Sequence, residues 1–103
     1  MTTEELLESL AGRGAPNLDA MTHEEIVALA EADPAQVGAT LWPERKRDGI
    51  LYATGALLKL FAIWRADAMK ALEGGHPKVA EGLERECDLV HSHLPEWAKW
   101  TRR

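Results

Sequence analysis

The stretch ILYATGALLKLFAIW, Ile50 to Trp64, is the most apolar in the chain, and how it is read decides the fold. It could span a bilayer, form the core of a helical domain or present a surface to a partner. Fifteen residues of helix rise about 22 Å, against a hydrocarbon core of about 30 Å. Lys59 lies inside the stretch, and Arg65 and Asp67 follow it at once, so a membrane span is not expected. At about 100° per residue, Ile50, Ala53, Leu57, Leu60, Phe61, Trp64, Ala68 and Leu72 share one side. Leu51, Leu58 and Met69 widen it, while Lys59, Ala66, Lys70 and Glu73 form a narrow opposite strip. An apolar arc of roughly 180° exceeds what packing on one neighbour requires. The helix must therefore meet two or more elements, and its outer edge, at Ala56 and Ile63, faces either its own N-terminal helices or another chain.

Helix signals recur on both sides of this stretch. Thr2 with Glu5, and Thr22 with Glu25, form capping boxes, and Gly12 is placed to stop the first helix. The second helix is expected to reach about Ala32 and to bury Ile26, Leu29 and Ala30. Asp33 followed by Pro34 opens a third, and Trp42-Pro43 breaks it. One long helix is expected from Glu44 to Glu73, delayed or bent near Gly49. GGHP is a turn, and a last helix runs from Pro77 to about Leu94, where Pro95 ends it and PEWAKW adds a final turn. The expected fold is all-α: three short N-terminal helices followed by a long antiparallel helical hairpin, a small bundle-like domain. A single domain covers 1–103, with an acidic short-helix part at 1–42, the hairpin at 43–94 and a Trp/basic tail at 95–103.

Composition supports this reading. Hydrophobic residues at 46% and charged residues at 28% are typical of a folded globular chain, and alanine, leucine and glutamate favour helix. Residues 1–41 carry eight acids against one base, Arg13, for a charge of -7; the remainder carries nine acids and eleven bases, +2, giving the -5 of the whole. An acidic front end is repelled by phosphate, so nucleic acid is an unfavoured partner. A single cysteine, Cys87, excludes an internal disulfide, and MTTEELLESL lacks the basic and apolar regions of a signal peptide. The cytoplasm is the expected compartment.

On the last long helix, Val79, Leu83, Cys87, Val90 and Leu94 form one expected inward stripe. Beside it lie Gly82, Glu86, Leu89 and His93, spaced 4, 3 and 4, a heptad-like seam. Glycine is costly within a helix, so a partner's close approach is one reason for Gly82, and drift is another. The tail PEWAKWTRR pairs Trp97 and Trp100 with Lys99, Arg102 and Arg103. The tryptophans either fold back over the open end of the hairpin or act as docking anchors.

Several chemistries can be weighed against these faces. Glu84, Asp88 and His91 share a side and are weak candidates for a metal, but the facing helix offers acids only near its ends. Cys87 and His91, four apart, could form a thiolate–imidazole pair, yet no third orienting residue accompanies them. THEEIVALAEADPAQVGATL, Thr22 to Leu41, resembles a helix-turn-helix of the regulator type, with Ile26, Ala30, Val37 and Leu41 at its apolar positions. That resemblance implies DNA binding, read by Gln36 and Thr40 with phosphate contacts from Arg45, Lys46 and Arg47. It departs from the pattern at Glu31, where a turn glycine is usual, and in a second helix without Lys or Arg.

With no coherent catalytic constellation and no implied cofactor, the chain reads as a non-catalytic helical interaction protein, an oligomerising adaptor, accessory subunit or inhibitor. Its expected partner is another protein or a second copy, met through Gly82, Glu86, Leu89 and His93, through Ala56 and Ile63, and through Trp97 and Trp100. The alternatives are a weak DNA-binding regulator and a small metal-binding helical protein.

Overall fold

Side-chain caps start each N-terminal helix in the structure, a computed structural model that describes residues 2–12, 17–45 and 51–102. Helix α1 (Thr3–Gly12) opens with Thr2 Oγ1 accepting from the Glu5 amide at 3.1 Å, while Glu5 Oε1 accepts from the Thr2 amide at 3.3 Å. Helix α2 (His23–Ala30) repeats the reciprocal pair at Thr22 and Glu25, at 3.2 and 2.9 Å. Helix α3 (Pro34–Leu41) begins with Asp33 Oδ1 accepting from the Ala35 amide at 3.2 Å, and Pro34 occupies a position with no amide to satisfy. Between α1 and α2, Asn17 caps a 3-10 turn, Leu18–Ala20, that buries Leu18 and fixes the place of Asp19.

The long helix expected from Glu44 starts later, as its delayed form allowed, and Glu44 itself lies in a 3-10 turn. Trp42 leaves α3 with φ -132° and ψ 64°, and Pro43–Arg45 forms a separate 3-10 turn closed by the Arg45 amide on the Trp42 carbonyl at 2.9 Å. A residue before proline is driven out of the helical region, which accounts for the end of α3 at Trp42. Helix α4 runs from Leu51 to Glu73; the bend expected at Gly49 lies outside the described residues. At its end the His76 amide reaches the Ala71 carbonyl at 2.8 Å and the Gly75 amide reaches Leu72 at 3.1 Å. This is a Schellman ending, and its left-handed residue is Gly75, φ +78°. Helix α5 (Pro77–Ser92) follows, two residues shorter than expected, and a 3-10 turn, Glu96–Ala98, leads into the tail.

The fold is all-α, with no strand among the described residues. Helix α4 is its axis. It packs against α5 along one side and against α2 and α3 along another, while α1 covers α2 and α3. Leu6, Leu7, Leu10, Ile26, Leu29, Val37, Leu58 and Phe61 are fully buried in one continuous core. The α3–α4 crossing is made by two glycines. A Cβ on Gly55 would stand 2.0 Å from the Pro34 carbonyl oxygen, and one on Gly38 would stand 2.5 Å from that of Leu51. Both obstacles are backbone, so the two helices approach as closely as they do because neither residue has a side chain.

The wide apolar arc of α4 is thus covered in part by the N-terminal helices. Leu51, Leu58, Phe61 and Ala68 are buried, and Leu57, Trp64 and Met69 are partly so. Three expectations for the arc need correction: Leu60 and Leu72 are exposed, and so is Ala53. On α5, Cys87 and Val90 face inward, as does Leu94 just past its end, and Leu83 is half-buried, but Val79 is 57% exposed and Ala80 takes the inward position. Seven residues separate Ala80 from Cys87, which keeps one line along a helix; Val79 is displaced from it by about 80°.

Candidate interaction surfaces and the tail site

The C-terminal tail folds back over the α4–α5 pair. Trp100 is buried, with its ring edge-on to Phe61 at 5.0 Å between centroids and to His91 at 4.6 Å. Its indole Nε1 donates to Asp19 Oδ2 at 2.8 Å, and its carbonyl accepts from His91 Nε2 at 2.7 Å. Two residues on, Arg102 gathers three carboxylates. Its Nε and Nη2 donate to the two oxygens of Asp19 at 3.1 and 3.0 Å, Nη2 also meets Glu84 at 2.9 Å, and Nη1 pairs with Asp88. The guanidinium lies 5.0 Å above the Phe61 ring. Arg65 on α4 completes the group through its own pair with Glu84.

Burial of Asp19 favours its protonated form, but hydrogen bonds from Arg102 and Trp100, and the charge of Arg102, outweigh that effect and hold its pKa below the ordinary carboxylate range. Trp100 is therefore not an exposed docking anchor: its apolar ring and its N–H are both engaged inside the chain. Trp97 is half-buried, stacked edge-on against Trp42 at 4.9 Å with Arg45 lying 4.2 Å over its ring.

The same contacts occupy the polar groups considered for metal. Glu84 is engaged by Arg65 and Arg102, Asp88 by Arg102, and His91 by the Trp100 carbonyl. Among the described residues no cluster of three or more His, Cys, Asp or Glu side chains is disposed around one point as metal ligands. Cys87 is buried, and its Sγ donates to the Phe61 carbonyl at 3.8 Å. Burial, followed by the charge of Glu84, pushes the thiol up to about 12, so it stays protonated at neutral pH and lacks the thiolate a nucleophile needs.

The α2–α3 pair has the buried Ile26, Val37 and Leu41 of a helix-turn-helix, with Ala30 half-buried. Glu31, where that motif uses glycine, adopts φ -92° and ψ -6°, a conformation open to any residue. Gln36 is exposed, but Thr40 is half-buried beside Trp42 and Trp97, and Arg45 lies on Trp97. Lys46 and Arg47 lie outside the described residues.

Two apolar surfaces remain on the outside. On α4, Tyr52 (61% exposed), half-buried Ala56, Leu60 and Ile63 follow one another at spacings of 4, 4 and 3, a single line along the helix. On α5, Leu89 is 56% exposed and lies between exposed Glu86 and His93. Gly82 completes this seam, but a Cβ there would meet nothing nearer than its own chain's Arg85 guanidinium at 4.0 Å. Within the chain, close backbone approach belongs to Gly38 and Gly55. Near the Gly74–Gly75 turn, Val79 and Leu83 border an open hollow of about 670 Å³ with Ala71 and the stem of Lys70.

In the sequence Arg102 stands out only as part of the basic tail, and Asp19 is one of the eight acids of residues 1–41; nothing there pairs them. The signal was present in WTR, an aromatic ring and a guanidinium two residues apart, but its receptor lies more than eighty residues earlier in the chain. No helix among the described residues is long and apolar enough to cross a membrane. Comparison with protein-family models, with curated proteins and with solved structures gave no match in any of the three.

Proposed function

We propose that the protein is a non-catalytic helical interaction module that associates with a second copy of itself through the outer face of α4 and α5. The observation that carries this reading is the unbroken line Tyr52, Ala56, Leu60 and Ile63 on a helix that packs on α5 along one side and on α2 and α3 along another. Scattered exposed leucines are ordinary, but a helical row of them, at i, i+4, i+8 and i+11, is the pattern by which one helix seats on another. Val79 and Leu89 extend apolar surface onto α5. A buried protonated thiol, and acids engaged by arginine, support a role in binding over one in catalysis.

Sedimentation velocity over a concentration series tests the proposal. The expected result is a reversible shift toward dimer as concentration rises, abolished by Leu60→Asp with Ile63→Asp at an unchanged thermal midpoint. A wild-type protein that stays monomeric into the high micromolar range refutes it.

A further inference from the structure

We infer that the C-terminal segment is a releasable strap, occupying in cis a groove that accepts a Trp-x-Arg peptide segment supplied in trans. The inference concerns a different face from the self-association proposed above and stands without it.

The groove is defined by what it already holds. Its aromatic half is the Phe61 ring and His91, against which the Trp100 ring sits edge-on. Its polar half is Asp19, Glu84 and Asp88, three carboxylates from the Leu18–Ala20 turn and from α5, converging on one guanidinium. Asp19 reads both features of the segment at once, accepting from the indole N–H and from two nitrogens of Arg102. A lysine could not make that forked contact, so the site discriminates for arginine. Counting Arg65, two cations face three anions, and the site keeps a net negative charge with its strap in place.

The seating is also larger than the part of the tail that fills it. Beside Arg102 a cavity of about 460 Å³ continues over Met69 and exposed Leu72, bounded by Arg65, Glu84 and Asp88. The Nε of Arg65 is buried there without a hydrogen-bond partner. A buried donor without a partner carries a free-energy cost, so a residue bordering this cavity is left unsatisfied with the strap in place. Beyond the Glu96–Ala98 turn the described residues 99–102 carry no regular secondary structure, so their release opens no helix. A segment tethered to its own receptor competes at high effective concentration, so the groove is closed to outside peptides until the strap is weakened.

The test uses the full chain and a fluorescently labelled peptide PEWAKWTR, corresponding to residues 95–102, followed by anisotropy. Wild-type protein should bind the peptide weakly. Arg102→Ala, which loses charge-assisted bonds to three carboxylates, should bind it about tenfold more tightly or better. Trp100→Phe keeps a ring against Phe61, loses only the bond to Asp19, and should give a smaller gain; it carries the test if Arg102→Ala loses its helical circular dichroism. Adding Asp19→Asn to either variant should remove the gain, and a peptide with lysine in place of its arginine should bind poorly to both. If both variants bind no more tightly than wild type, or if Asp19→Asn leaves their binding intact, the strap is an ordinary part of the fold and the inference fails.

Discussion

Alanine at Gly55 and alanine at Gly82 are chemically the same change and should have opposite effects. At Gly55 the new methyl would press on the Pro34 carbonyl, which is backbone and cannot swing aside, so α3 and α4 must separate. The expected cost is about 2–3 kcal/mol. At Gly82 the methyl enters open space in a helix interior, and the expected gain is about 0.5–1 kcal/mol. Urea denaturation of the two variants checks both signs. Asp19 makes a prediction of another kind. Its pKa in the folded protein lies below the ordinary carboxylate range, so its carboxylate contributes stability throughout neutral pH. That contribution is lost as pH falls below about 4, through the lowered folded value. The stability difference between wild type and Asp19→Asn should be constant from about pH 5 to pH 8 and should shrink on further acidification; tryptophan fluorescence at each pH measures it.

At the scale of elements, the helix starts were legible because they are local. Thr2, Thr22 and Asp33 each satisfy amides within three residues, whatever the rest of the chain does. Thr22→Ala, which removes one half of a reciprocal cap, should cost about 1 kcal/mol in chemical denaturation. The outcome was less legible where tertiary contact decides it. The sequence of α5 allowed both Val79 and Ala80 to head its inner stripe, and the approach of α5 to α4 selected Ala80. A glycine in a helix signals close packing or nothing, and the pattern around Gly82 could not separate these without knowing what lies opposite. The pairing of Trp100 with Asp19 depends on a turn that brings an early loop against the last helix, and no periodicity encodes that. The edge of the α4 arc was legible as an open question at Ala56 and Ile63; within the chain Ala56 is half-buried and Ile63 exposed, while Gly55, about 80° round the helix from Ile63, meets α3.

The molecule measures 43 × 28 × 21 Å, with a radius of gyration of 13.3 Å, close to that of a compact unit of its length. The charge asymmetry of the sequence is partly resolved in three dimensions, since Arg102 from the cationic end of the chain is held by Asp19 of the acidic front. The proposed contact between copies is apolar, so raising salt from about 0.05 M to about 0.5 M should leave the dimer in place, whereas a contact dominated by exposed charges would weaken. Sedimentation at the two salt concentrations separates these. The buried thiol gives this small protein a means of reporting its own openings. Cys87 is buried with the Phe61 carbonyl as its hydrogen-bond acceptor, Trp100 of the tail packs on the ring of that same Phe61, and Cys87 is the chain's single cysteine. A thiol reagent can reach it only during an excursion of the native state, so the labelling rate counts excursions directly. Arg102→Ala should speed labelling under conditions where the helices remain intact. Cys87 thus serves as an internal clock, timing the lifting of the tail without any added probe on the surface.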